Sequence, residues 1–245
     1  MNYSDKIILA LDNENIEDNI SLINELVPPI NILKIGPISF LPNGKDLVEA
    51  IKKTDASVMF DFKFFDIPNT VTESLRFLFD LNTKIFTIHC LSGPKAISAV
   101  VKKIDELHSE ITNNLHVDIK QNIIKPEVFG VTILTSFDNN ELASIGLTGS
   151  IQDNVLRLVE NSVKAGIGGI VCSGEEVEVI RKNFGDKVKI LVPGVRLNSS
   201  DDDQKRVVTP KEAFSLGADY IVLGRTLTSY ENKVERYDKI IKSLA

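Results

Sequence analysis

Eight short apolar segments recur along the chain, and longer amphipathic segments separate them. Most of the eight are continuously hydrophobic, which is typical of parallel strands that are buried on both faces. Parallel strands need crossover connections, so strands that alternate with helices indicate an α/β fold. Eight such units in 245 residues match the size of a (β/α)8 TIM barrel, with a doubly wound open sheet as the alternative. The predicted strands are residues 6–11, 32–36, 57–62, 84–89, 127–134, 168–173, 189–192 and 220–224.

The segments between these strands carry helical patterns. Residues 94–107 place apolar side chains on one stripe, and residues 154–165 do the same. Residues 165–174 and 216–225 resemble each other, since each has a helix-ending glycine, a short turn and a buried strand. A repeat of this kind favours a barrel built from similar quarters. Nothing resembling a linker divides the sequence, so we expect a single domain over residues 1–245.

Composition narrows the possible partners. The chain has 28 Lys and Arg against 34 Asp and Glu, a formal net charge of −6, which argues against nucleic acid and anionic membrane surfaces as partners. No apolar run approaches the roughly 18 residues of a membrane span. The only cysteines, Cys90 and Cys172, form neither a disulfide framework nor a zinc motif, and we read them as packed thiols in a cytoplasmic protein.

Polar residues collect directly after the predicted strands. In a barrel the carboxyl ends of all strands point to one face, where such enzymes keep their chemistry. The residues in question are Asp12, Lys34, Asp61, Lys63, His89, Thr135, Ser173, Arg196 and Arg225.

The most informative segment is DFKFFDIPNT at 61–70. Strand alternation places Asp61 and Lys63 on the same face, with Phe62 on the other. Burying such a pair is costly unless the two groups hydrogen-bond, so an ion-pair network that plugs the barrel end is one interpretation. Lys34 and Asp12 on adjacent strands favour the other interpretation, an array that stabilises a developing carbanion and protonates it through a lysine.

A second group of residues follows the last two strands. The sequence VPGVR at 192–196 and the pair Gly224-Arg225 lie where TIM barrels often bind phosphate through backbone N–H groups and arginine. A turn with a surface arginine is the plainer alternative. The acidic run 201–203 is predicted to be solvated and not to hold a metal, and the polar stretch 105–125 is predicted to be a surface insertion with some extra helix.

These motifs together resemble the orotidine 5′-phosphate decarboxylase family along essentially the whole chain. The decapeptide at 61–70 is the most specific of them. The matching pieces are LD at 11–12, LKIG at 33–36, DFKFFDIPNT at 61–70, VTILTS at 131–136, VPGVR at 192–196, DQKRVVTP at 203–210 and VLGR at 222–225.

The resemblance implies decarboxylation of orotidine 5′-monophosphate to uridine 5′-monophosphate without a cofactor or metal. Lys63 would protonate C6 of the pyrimidine, beside Asp61, Lys34 and Asp66. The implied substrate-binding residues, by their numbers in this sequence, are Asp12, Lys34, Asp61, Thr70, Thr135, Arg196, Gln204, Gly224 and Arg225.

The resemblance also implies a homodimer in which Asp66 and Thr70 reach the neighbouring site, and a loop at 197–204 that closes over the ligand. Two other functions are also consistent with these motifs. One is a magnesium-dependent barrel acting on 3-keto-gulonate 6-phosphate or hexulose 6-phosphate, which shares the strand-three pattern. The other is an inactive barrel that only binds a nucleotide or sugar phosphate, although Lys63 and Asp66 are both present.

Overall fold

The structure, a computed structural model, describes residues 3, 5–114, 123–197 and 208–244. Within these residues, eight parallel strands form a closed barrel in chain order, and the last strand pairs with the first. The predicted TIM barrel is therefore confirmed over the open sheet. The strands are β1 (Ile7–Leu11), β2 (Ile32–Ile35), β3 (Ser57–Phe64), β4 (Thr83–His89), β5 (Glu127–Val131), β6 (Gly169–Val171), β7 (Lys189–Val192) and β8 (Tyr220–Leu223).

Helices occupy the connections between strands. The longest, α5, is strongly amphipathic and buries Ile97, Val100 and Ile104. None of the described helices is long and apolar enough to cross a membrane. The helices are α1 (Ile16–Leu26), α2 (Pro37–Lys52), α3 (Pro68–Glu73), α4 (Phe77–Asp80), α5 (Gly93–Asn113), α6 (Asn139–Ser144), α7 (Ile151–Lys164), α8 (Val177–Phe184), α9 (Pro210–Ser215), α10 (Arg225–Thr228) and α11 (Lys233–Ser243).

The alternation of side chains along the strands creates two separate apolar cores. One lies inside the barrel, where Ile8, Met59, Phe129 and Tyr220 pack together. The other lies between the barrel and the helices. The continuous hydrophobicity of the strands follows from this double burial.

Strand β3 is longer than the sequence predicted and contains an irregularity. Phe60 pairs with Phe86 and Phe64 pairs with Ile88, so β3 holds two more residues than β4 over this stretch. The alternation persists through the bulge, because the rings of Phe60 and Phe62 stack outside the barrel with centroids 4.2 Å apart. The side chains of Asp61 and Lys63 consequently face the barrel mouth.

The stretch predicted as a polar insertion begins as regular helix. Helix α5 continues past the expected end at residue 107 as far as Asn113, and Lys125 forms an ion pair with Asp105. The helix therefore includes the first part of the stretch 105–125. Residues 115–122 lie outside the described residues.

The two similar segments at 165–174 and 216–225 adopt matching structures. Gly166 and Gly217 follow α7 and α9 with φ of 88° and 107°, a backbone region that glycine enters without strain. Strands β6 and β8 come next, and both are fully buried. The repeat read from the sequence thus corresponds to a repeated helix end, turn and strand.

Candidate active site

A cavity of about 610 Å³ opens at the carboxyl ends of the barrel strands. This volume suits a small-molecule ligand. Eight of the predicted site residues line it: Asp12, Lys34, Asp61, Lys63, Thr135, Arg196, Gly224 and Arg225.

Four of the lining side chains form a chain of alternating charge. Lys34 Nζ lies 2.7 Å from Asp12 Oδ1 and 3.9 Å from Asp61 Oδ2, the second a charge contact beyond hydrogen-bond distance. Lys63 Nζ lies 3.0 Å from both oxygens of Asp61. Strands β1, β2 and β3 therefore bring two carboxylates and two ammonium groups into one sector of the cavity.

The central pair of this chain is the most buried. The side chains of Lys34 and Asp61 are each 12% exposed, while that of Lys63 is 40% exposed. A buried charge needs both a partner and hydrogen bonds. Asp61 has both, since it accepts hydrogen bonds from Lys63 and from the hydroxyl of Thr87.

The backbone at Lys63 is unusual. Its φ of 47° lies in the left-handed region, which non-glycine residues rarely adopt. Its N–H donates to Thr87 Oγ1 over 2.9 Å in place of a regular ladder bond. The bulge in β3 and this hydrogen bond together direct the Lys63 ammonium back onto Asp61.

His89, at the end of β4, is close enough to Lys63 to be affected by its charge. Burial, followed by the positive charge of Lys63, lowers the pKa of His89. Its Nδ1 accepts a 3.3 Å hydrogen bond from Leu91 N. The imidazole is therefore neutral, with its proton on Nε2.

A second sector of the cavity follows β7 and β8. Gly194 there has φ of 69°, and Arg196, Gly224 and Arg225 line the wall. Arg196 Nη1 donates to Thr226 Oγ1 over 3.2 Å. This sector combines two guanidinium groups with glycine backbone, the combination that binds phosphate.

Part of the cavity wall is apolar. A flat ring can lie against such a surface without leaving buried polar groups unpaired. The apolar lining residues include Met59, Ile133, Val171, Cys172, Leu191 and Val222.

Comparison with known proteins agrees with this geometry. The family model described as "Orotidine 5'-phosphate decarboxylase / HUMPS family" matches residues 5–240. The chain belongs to this family. Curated relatives named orotidine 5′-phosphate decarboxylase include those of Actinobacillus succinogenes, 36% identical over 98% of both chains, and the Wolbachia of Culex pipiens, 33% identical over 97% of this chain and 98% of the relative.

Solved structures show the same relationship. The crystal structure of orotidine 5′-phosphate decarboxylase from Lactobacillus acidophilus superposes with a TM-score of 0.81 at 26% identity, covering 98% of this chain and 99% of that one. A protein from Geobacillus kaustophilus described as uncharacterized has a TM-score of 0.80 at 23% identity over 98% of this chain and all of that one, which shows the fold alone. The predicted family is thus confirmed.

Two of the site residues implied by the family resemblance do not line the cavity, and a third cannot be placed because it lies outside the described residues. Asp66 and Thr70 are exposed in the segment after β3, and Asp66 Oδ1 accepts a hydrogen bond from Ile67 N. Gln204 lies outside the described residues, as do the acidic run 201–203 and most of the predicted closing loop. The roles of all three residues stay predictions.

Two further polar residues form hydrogen bonds with the charged residues of the cavity, and the sequence analysis did not single them out. Thr87 contacts Asp61 and Lys63, and Thr226 donates to Val195 O while accepting from Arg196. Alternation alone could have placed Thr87 inward, two residues before His89. Threonine is common in strands, however, and the contacts of this hydroxyl depend on the bulge in β3, which the sequence does not reveal.

The remaining candidates have plainer roles. Burial raises the pKa of the Cys90 thiol to about 12, and Cys172 is also buried, so both pack as expected. Among the residues that the structure describes, no group of three or more His, Cys, Asp or Glu could hold a metal ion.

Proposed function

We propose that this chain decarboxylates orotidine 5′-monophosphate to uridine 5′-monophosphate. The observation that carries the proposal is the chain of alternating charges, Asp12–Lys34–Asp61–Lys63, in one cavity with Arg196 and Arg225. The names of the curated relatives support the same substrate. A nucleotide presents a phosphate, a ribose and a flat ring, and the cavity offers a matching surface for each.

Binding would begin at the phosphate. Arg196, Gly224 and Arg225 provide charge and backbone donors, and Gln204 is expected to join them. Asp12 and Lys34 would hold the ribose hydroxyls. Thr135, in the same cavity, would contact the edge of the pyrimidine. The phosphate contacts take no part in bond breaking, so their binding energy can support the chemical step.

The chemical step breaks the bond between C6 and its carboxylate. Carbon dioxide leaves, the bonding electron pair remains on C6, and the Lys63 ammonium transfers a proton to that carbon. The neutral lysine then recovers a proton from solvent. Because Lys34 and Lys63 already flank Asp61, positive charge stands at the site before the carbanion develops, and little reorganisation is required.

We further propose that the active form is a homodimer. The exposed segment that carries Asp66 and Thr70 also exposes Phe65 and Ile67, at 65% and 66%, which is unusual for large apolar side chains. A second copy that covers this surface would carry Asp66 toward the neighbouring cavity. Within one chain the alternating charges end at Lys63, and the Asp66 carboxylate of the second copy would extend them by one more negative charge.

The direct test follows the loss of orotate absorbance when purified protein meets orotidine 5′-monophosphate in the presence of excess chelator. Rapid loss is expected, because Lys63 and Asp61 supply the required charges without a divalent cation. No loss from folded protein would contradict the proposal. Turnover of hexulose 6-phosphate or 3-keto-gulonate 6-phosphate only after magnesium is added would then identify the sugar-phosphate alternative.

A further inference from the structure

We propose that Thr87 is a positioning residue that sets the geometry of the Asp61–Lys63 pair, an inference that rests on the proposed function. Thr87 lies on β4 and is fully buried, and it is not one of the described residues that line the cavity. It therefore acts on the reaction through its neighbours and not by touching the substrate.

The Thr87 hydroxyl makes two hydrogen bonds, one to each member of the pair. Its oxygen accepts the N–H of Lys63 over 2.9 Å, and its proton is donated to Asp61 Oδ1 over 2.9 Å. The direction is fixed, because a backbone N–H can only donate and an ionised carboxylate can only accept. One hydroxyl thus links the backbone of the lysine to the side chain of the aspartate.

This link lies where β3 departs from regular pairing. Lys63 has a left-handed backbone at φ 47°, and the register with β4 shifts between Phe60 and Phe64. A conformation of this kind persists only where its surroundings stabilise it. The Thr87 hydroxyl offers the Lys63 N–H an acceptor from the neighbouring strand, which stabilises the turned backbone.

The same hydroxyl restrains the carboxylate. Asp61 Oδ1 accepts hydrogen bonds from the Thr87 hydroxyl and from Lys63 Nζ. Asp61 Oδ2 accepts one from Lys63 Nζ and lies 3.9 Å from Lys34 Nζ. Without the hydroxyl, rotation of the carboxylate would move the ammonium that delivers the proton. Catalytic rates are sensitive to displacements of about 1 Å, whereas binding through the phosphate sector does not depend on this pair.

The test makes two comparisons, in each of which the two proteins differ mainly in the hydroxyl. Thr87→Val, which keeps the branched shape of threonine, is compared with wild type. Thr87→Ala is compared with Thr87→Ser, so that one comparison remains if the valine variant does not fold. We expect kcat to fall roughly ten- to a hundredfold in the valine and alanine variants and to stay within about threefold in the serine variant. The dissociation constant for uridine 5′-monophosphate should change little in all of them.

Thr83→Val is the matched control. Thr83 lies at the start of the same strand, is equally buried, and its hydroxyl has no hydrogen-bond partner among the described residues. We expect this variant to keep the wild-type kcat. Any of three results would overturn the proposal. The first is an equal loss of kcat in Thr83→Val and Thr87→Val, and the second is a kcat in Thr87→Ser as low as that in Thr87→Ala. The third is a wild-type kcat in the variants that lack the hydroxyl.

A second measurement does not depend on turnover. The Lys63 amide should exchange with solvent faster in the valine and alanine variants than in wild type and the serine variant, because its acceptor is gone. Unchanged exchange would overturn the positioning role even in an active enzyme. If the Lys63 amide exchanges as expected in wild type and the variants, but wild type leaves orotidine 5′-monophosphate intact, only the proposed function is contradicted.

Discussion

At the scale of single residues, the cavity depends on charged side chains that hold one another in place. Strand alternation predicted that Asp61 and Lys63 share a face, and the structure has Lys63 Nζ 3.0 Å from both Asp61 oxygens. The left-handed backbone of Lys63 and the contact with Thr87 could not be predicted. Both arise from the register between two strands, which no local pattern of residue types encodes.

Arg225 tests the phosphate sector. Arg225→Ala should weaken the affinity for uridine 5′-monophosphate about ten- to a hundredfold, because a charge-assisted contact with the phosphate is lost. Isothermal titration measures this directly. Uridine, which has no phosphate, is the matched control ligand and should bind the variant and the wild-type protein equally well. An equal loss for both ligands would mean that Arg225 shapes the cavity and does not bind the phosphate.

His89 makes the free energy of unfolding depend on pH. Burial and the charge of Lys63 lower its pKa, so the folded protein resists a proton that the unfolded chain accepts near the ordinary value of 6.5. Stability should therefore decrease as the pH falls through that value. In His89→Gln the decrease between pH 7.5 and pH 5, measured by urea denaturation, should be smaller than in wild type. Parallel decreases in the two proteins would contradict this assignment.

At the scale of secondary-structure elements, the apolar runs predicted the strands well and their ends less well. Strand β3 runs to Phe64, because the inward Lys63 and the outward ring of Phe64 continue the alternation past a charged position. Helix α5 runs to Asn113, past the predicted end at residue 107 and into the stretch that was expected to carry some extra helix. Ends depend on capping and packing partners from elsewhere in the chain, so local patterns define them poorly.

Packing inside the barrel gives a prediction for β6. A Cβ at Gly169 would lie 2.3 Å from the ring of Phe129, a fully buried residue that fills the barrel interior. Gly169→Ala should therefore lower the free energy of unfolding by about 1–3 kcal/mol. The neighbouring Gly168→Ala, whose Cβ would meet only ordinary contacts at 3.6 Å, is the control. Chemical denaturation of both variants decides, and equal stabilities would show that the ring moves aside.

At the scale of the whole molecule, closure of the sheet is what brings distant motifs together. The pairing of β8 with β1 places the Gly224-Arg225 sector beside the end of β1, which Asp12 directly follows. Periodicity allowed an open sheet as well, since it does not reveal which strands are neighbours. The repeat at 165–174 and 216–225 favoured the closed barrel. The dimer came only from the resemblance to a family and stays a prediction.

The dimer can be tested by complementation. Lys63→Ala lacks its own proton donor, whereas Asp66→Ala is proposed to lack a carboxylate in its partner's cavity. A mixed dimer would contain one intact site, so co-expression of the two inactive variants should restore about a quarter of the wild-type activity if subunits pair at random. Activity no higher than the sum of the separate variants would mean that the cavities are independent.

The central claim is that Lys63, held by Asp61, delivers the proton as carbon dioxide leaves. The most direct measurement compares turnover of orotidine 5′-monophosphate by wild type and Lys63→Ala, together with the affinity of each for uridine 5′-monophosphate. We predict a loss in kcat of roughly 10²–10⁴-fold or more with product affinity largely kept, since the phosphate sector is intact. Wild-type turnover by Lys63→Ala would contradict the account.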